Sequence, residues 1–216
     1  MIQDASLLTQ SLSRSIPDGL QIFVLIDPIL GEPIALPDEP PDGEQGLNQA
    51  RELAWGRKVH TVELASKIDL PKPLHPYLVA LNGRDDPWLE SSLGMALNEW
   101  GHLQSEGIAG TGVASMRITG WLSTSMHAHQ LCRSLSDLLQ VKTAASTTAR
   151  YLRLADRRVL DWWACIIGPS AVAPALNRIQ RWHYLDGRGM LATLSGQETQ
   201  SHLEVQLSKA QWASLM

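Results

Sequence analysis

Cysteine is nearly absent: 216 residues carry only Cys132 and Cys165. Neither belongs to a C-x-x-C pair or has a histidine at ligand spacing, which argues against a disulfide scaffold and a zinc ribbon. Both read as buried free thiols of a reducing compartment. Long apolar runs are missing too. No stretch reaches the ~20 residues of a membrane helix, and residues 1–19 hold an early acid and no apolar leader core. A cytoplasmic protein is expected. Positive charge is not in excess, with 18 Lys and Arg against 22 Asp and Glu. That balance leaves little to neutralise a phosphate backbone, so nucleic acid is not an expected partner.

Catalytic signatures are as scarce. There is no G-x-S-x-G elbow and no P-loop lysine motif. The glycines of GIAGTG (residues 107–112) are not spaced as G-x-G-x-x-G, and no acid follows on a second strand, so a dinucleotide fold is rejected. Asp85 and Asp86 are adjacent and hence splayed. Glu90 and Glu99 do not face each other on a helix, so no acid pair for glycoside chemistry emerges. Of seven histidines, only His127 and His129 are close, and a helix would turn them about 200° apart. Without a third ligand they read as solvated. No catalytic residue, cofactor or metal is expected. The competing reading is a small hydrolase or transferase whose site gathers residues distant in sequence.

What is present is the composition of a folded domain, 44% apolar and 19% charged, at a length that suits one good-sized core. Residues 5–16 put Leu7, Leu8 and Leu12 on one side of a helix that Pro17-Asp18-Gly19 ends. Residues 20–26, LQIFVLI, read as a buried central strand closing on Asp27-Pro28. Residues 31–46, with four prolines, three glycines and five acids, read as an exposed loop. A helix over 47–55, a strand over 59–64 and a second buried strand over 77–81 follow. Pro87 then opens a helix over 88–100 with Gly101 as its cap. Residues 113–121 carry a weaker signal. Residues 125–141 give a helix with Met126, Leu131, Leu135, Leu138 and Leu139 as its stripe. A short helix over 172–179 precedes two apolar runs, 181–185 and 190–194, which flank Asp186-Gly187-Arg188-Gly189 as a hairpin. Residues 198–207 suit one more strand. Residues 208–216 begin a helix that stops without a C-cap, as a truncated segment would. The expected class is α+β: a mixed β-sheet with packed helices, then a C-terminal hairpin and helix. Residues 1–196 form the domain and 197–216 start a further segment.

The sharpest stretch is RYLRLADRRVLDWW, residues 150–163. Tyr151, Leu152 and Leu154 make a short strand-like run, and Asp156 is a good N-cap for a helix carrying Val159, Leu160, Trp162 and Trp163. Arg153, Asp156 and Arg158 read as an ion-pair brace across the junction, since a partly buried charge needs a partner. Removing Asp156 or Arg158 is expected to lower stability and soluble yield. The segment from Leu152 to Leu160 resembles the hallmark of the type VI secretion effector-chaperone, or adaptor, family, encoded beside VgrG spike proteins and toxins. That hallmark usually reads Phe-Arg-Phe-Tyr-Asp-Pro-Arg-Val-Leu; here Ala155 stands where an aromatic is usual and Arg157 where proline is. The apolar run closing on Asp27, the HPYLVAL stretch, WGHLQS at residues 100–105 as a strand, and Gly168-Pro169 are similar to further family features, over roughly residues 21–196. The resemblance implies a non-enzymatic cytoplasmic chaperone that binds a toxin effector, a VgrG tail or both, and helps load the toxin onto the spike.

Eight tryptophans against one phenylalanine make aromatics the candidates for partner contact. Trp162 and Trp163 lie about 100° apart on a helix, Trp182 and Tyr184 share one face of the hairpin, and Trp212 sits on the terminal helix. Each also suits core packing.

Overall fold

A computed structural model describes residues 5–37, 43–105, 116–142, 149–163, 176 and 178–196. Its centre is β1 (Gln21–Ile26), in which every residue after Gln21 is buried. Around it lie β2 (Val59–Thr61), β3 (Tyr77–Leu81), β4 (Ile118–Thr124), β7 (Ile179–Leu185) and β8 (Leu191–Ser195), in the order β2-β3-β1-β4-β7-β8. All five ladders are antiparallel. The α+β class therefore holds, but the sheet is antiparallel where a mixed one was expected. A separate ladder pairs β5 (Gln140–Lys142) with β6 (Ala149–Tyr151).

Side chains alternate across the sheet and feed a core on each face. Ile22, Val24, Ile26, Tyr77 and Val79 meet α1 (Ala5–Ser15), α2 (Gly43–Trp55) and α3 (Pro87–Ser105) through Leu12, Trp55, Leu89 and Leu93. Phe23, Leu25, Leu78, Leu122 and Trp182 meet α4 (Ala128–Leu138) and α5 (Arg157–Trp162) through Leu131, Leu135 and Leu160. Covered on both faces, β1 needs apolar residues at every position, which is why it reads as an unbroken run. Two irregularities re-phase the sheet. Leu25 pairs with Gly120 but Ile26 with Ile118, so Thr119 is an extra residue and both Ile118 and Trp121 reach the α3 face. Gly120 fits here because a Cβ would collide with the His183 carbonyl oxygen.

Other expectations change at their edges. Leu8 and Leu12 of α1 face the core, whereas Leu7 is 63% exposed. α2 starts four residues before the expected 47, and β2 is only three residues long. α3 runs through Gly101 to Ser105, so Gly101 is no cap and residues 100–105 are not a strand. Trp100 and Leu103 pack on the core, which outweighs the ~1 kcal/mol a helical glycine costs. The expected helix over 125–141 keeps only Ala128–Leu138. At its head the His127 N–H donates to Gln130 Oε1 at 3.1 Å, and at its tail residues 140–142 become β5. The strand expected over 151–154 is β6, which ends at Tyr151. Ile179, expected to end a helix, opens β7. The hairpin stands as read, with β7 and β8 closing on Asp186. The glycines at 107–112, Gly168-Pro169, most of 172–179 and all of 197–216 lie outside the described residues.

Candidate functional site

Asp27 ends the central strand and is 1% exposed. Its carboxylate accepts from the Ile29 N–H at 3.0 Å, the Tyr151 hydroxyl at 3.1 Å and Arg153 Nε at 3.1 Å. A buried carboxylate needs such a set of donors, one of them cationic. Burial together with the Asp27 charge pushes the Tyr151 phenol well above its ordinary range, so it stays a donor. Arg153 Nη2 is buried and finds no hydrogen-bond partner among the described residues. Of the expected brace, Arg153 pairs with an acid 126 positions away. Asp156 heads α5, its carbonyl accepting from the Val159 N–H at 2.8 Å. The Arg158 side chain lies outside the described residues.

A second polar cluster occupies the same end of the sheet on the opposite face. Arg51, 1% exposed, donates to Glu32 Oε1 at 2.7 and 2.9 Å and to the Pro73 carbonyl at 2.9 Å. Its guanidinium carbon lies 4.1 Å from the centroid of the Tyr77 ring, a cation–π contact. The Tyr77 hydroxyl donates to Glu32 Oε2 at 2.5 Å, and burial beside that acid drives its pKa upward. Arg117 reaches the Glu32 carbonyl at 3.2 Å while holding Glu99. The loop expected to be solvated is therefore anchored at Glu32. Every charged end here meets a structural partner.

The aromatic candidates separate. Trp163, Trp182 and Tyr184 are 3%, 0% and 3% exposed and belong to the α4–α5 core. As partner contacts they are corrected: a ring with no accessible surface cannot line a groove. Trp182 and Tyr184 do share a face, as the period of two required, but that face looks inward. The Trp162 side chain and the whole of Trp212 lie outside the described residues.

No family model, curated protein or solved structure matches this chain. The arrangement most like a hydrolase site is Ser15, His183 and Thr193. His183, 1% exposed, lies 3.4 Å from Ser15 Oγ through Nε2 and 2.8 Å from Thr193 Oγ1 through Nδ1. Its polarity is wrong for a nucleophile and base. The Ser15 hydroxyl already donates to the Leu12 carbonyl at 2.7 Å, so His183 must donate to Ser15 and accept from Thr193. Burial, aided by Arg181, lowers the His183 pKa to about 4, leaving it neutral near pH 7. A polar groove of about 320 Å³ between α1 and the start of α3 includes Ser13, Arg14, Arg84, Asp85 and Glu90, with no histidine in its lining.

His127 and His129 stack with centroids 6.1 Å apart, rather than pointing away from each other, because His127 precedes the helix instead of lying in it. Among the described residues no group of three or more potential ligands is placed to hold a metal, and no helix is long and apolar enough to cross a membrane. The Cys132 thiol is pushed up to about 12 by burial and by Glu63, the state of an inert packed cysteine.

Sequence reasoning passed over Glu32 and Arg51, and took Asp86 only as half of a splayed acid pair. Asp86 caps α3 through the Trp88 N–H at 3.0 Å, takes the Asn82 N–H at 2.7 Å and binds Arg57 through both carboxylate oxygens. Asp followed by Pro at the first helical position was a readable signal for that cap. Glu32 and Arg51 had none, since their partners come from separate elements.

Proposed function

We propose that the chain is a non-enzymatic adaptor, a chaperone that binds a type VI secretion toxin in the cytoplasm and promotes its loading onto a VgrG spike. The observation that carries this reading is the Asp27–Arg153 pair. Two of the features that carry the resemblance lie far apart in sequence, an apolar strand closing on aspartate and the arginine-bearing stretch from Leu152 to Leu160; a third, a strand over 100–105, is helix here. The charged residues of the first two are bonded to each other at the end of the central strand. A shared structural reason for both features supports reading them as one pattern. The reversed polarity at Ser15–His183 weighs against the hydrolase alternative. The adaptor would shield an apolar segment of the toxin or of the spike's tail, surface that otherwise aggregates.

Co-expression with the proteins encoded beside it, followed by size-exclusion chromatography, tests the reading. A stable complex with a toxin or a spike tail is expected. A folded chain that elutes alone with both candidates present overturns it and returns attention to Ser15 and His183.

A further inference from the structure

The two edges of the main sheet are built differently. At the β2 edge, Lys58 and Val62 bond inward toward β3, so the main-chain groups of Val59 and Thr61 point outward. That edge is blunted: the strand has three residues, Glu52 of α2 accepts the outward Val59 N–H at 3.3 Å, and Lys58 pairs with Glu52. Short strands, charges and covering side chains are the usual protections of an edge. Among the described residues the β8 edge has less protection: the Arg181 guanidinium of β7 reaches the Ser195 hydroxyl at 3.2 Å, and nothing described covers the strand's main chain. Leu191-Ala192-Thr193-Leu194-Ser195 contains no charge, no proline and no register shift against β7.

The bonds at its two ends fix which groups face out. The Asp186 N–H bonds the Met190 carbonyl at 2.9 Å and the Gly196 N–H bonds the Gln180 carbonyl at 3.3 Å. Alternation along an antiparallel pair then turns residues 190, 192, 194 and 196 inward and leaves Leu191, Thr193 and Ser195 with outward N–H and C=O groups. Among the described residues no strand lies beyond them.

We propose that a second copy of this chain pairs on this edge, β8 against β8 antiparallel, about a two-fold axis at Thr193. The occupant follows from the self-complementarity of the strand. In this register Thr193 faces Thr193 of the other copy and Leu191 faces Ser195 in both directions. All outward groups are then joined in six hydrogen bonds (two for each of three facing pairs), an arithmetic set by the pairing rule. On the α4 face Leu194 lies opposite Ala192, large against small, twice. No charged residue of the strand meets its own copy, and the sheet continues across the axis into a second six-stranded sheet. Such an edge is open to self-association unless something protects it, and isologous pairing is the closed form. This inference is independent of the adaptor reading.

Sedimentation velocity on the full chain, from about 1 μM to about 1 mM, spans what a small edge-to-edge contact supports. A concentration-dependent dimer is expected. Thr193→Lys, which sets two ammonium groups against each other at the axis, abolishes it. Ser195→Pro, which removes an outward N–H, no inward main-chain bond and one exposed side-chain bond from Arg181, weakens it about tenfold or more. Thr193→Val gives up the His183 hydrogen bond but leaves the edge uncharged and keeps the dimer, separating edge chemistry from a folding defect. A wild-type chain that stays monomeric throughout overturns the proposal, as does a dimer that survives both Thr193→Lys and Ser195→Pro. A monomer that captures a co-expressed toxin through this edge, and loses it on Ser195→Pro, also overturns self-pairing and assigns the edge to a partner strand.

Discussion

Arg153 shows what a residue-scale reading can and cannot reach. Its need for an acid follows from a charge set among Tyr151, Leu152 and Leu154; the acid chosen, Asp27, follows only from the chain's path. Because Asp27 is buried, truncating its cationic partner leaves an uncompensated charge. Arg153→Ala is expected to cost about 3 kcal/mol, and Tyr151→Phe about 1 kcal/mol, both read from denaturant melts. An Arg153→Ala variant as stable as wild type would remove the pair from its structural role. His183 gives a pH prediction. Its folded pKa, about 4, lies below the ordinary 6.5, so the unfolded chain binds the proton first. The stabilisation is complete above about pH 6.5 and fades as pH falls toward 4, by on the order of 3 kcal/mol. His183→Gln should lower stability at neutral pH yet flatten that acid limb. An unchanged slope would mean other groups set it.

At the scale of elements, the start of α3 and the β4 irregularity are the points where one side chain decides local geometry. Burial alone would raise the Asp86 pKa, but Arg57 and the Asn82 and Trp88 N–H groups outweigh it and hold it low. Its contribution is therefore present at neutral pH and lost only as acid protonates it, below the ordinary carboxylate pKa. Asp86→Ala is expected to cost about 2 kcal/mol and to speed amide exchange in the first turn of α3. Gly120→Ala drives a methyl group into the His183 carbonyl and the Trp182 indole and should cost about 3 kcal/mol or more. A mild effect would mean that the β4–β7 ladder yields at that point. Elements with one strong pattern were legible in the sequence: β1, β3 and the β7–β8 hairpin stand where alternation, apolar runs and the Asp-Gly turn put them. Helix ends were not. α3 continues through Gly101 because packing of Trp100 and Leu103 exceeds a propensity worth about 1 kcal/mol.

For the molecule as a whole, one sheet shared by two cores predicts a single cooperative transition. Tryptophan fluorescence samples both faces, with Trp55 and Trp121 on one and Trp163 and Trp182 on the other. It should therefore melt with the far-UV circular dichroism signal, and separated midpoints would mean that the faces unfold independently. The candidate site was less legible than the fold. Trp182 and Tyr184 were rightly placed on one face, but period two cannot tell an inward face from an outward one when helices cover both. The sequence by itself determined the class of the fold, the central strand, the turn at Asp186 and the need of Arg153 for a partner, because each is settled by neighbours a few residues apart. Only the tertiary structure decided that Arg153 takes Asp27, that Glu32 anchors a loop through Arg51 and Tyr77, and that β8 is the last described strand of the sheet. Those depend on contacts between residues far apart in the chain, which local pattern does not encode.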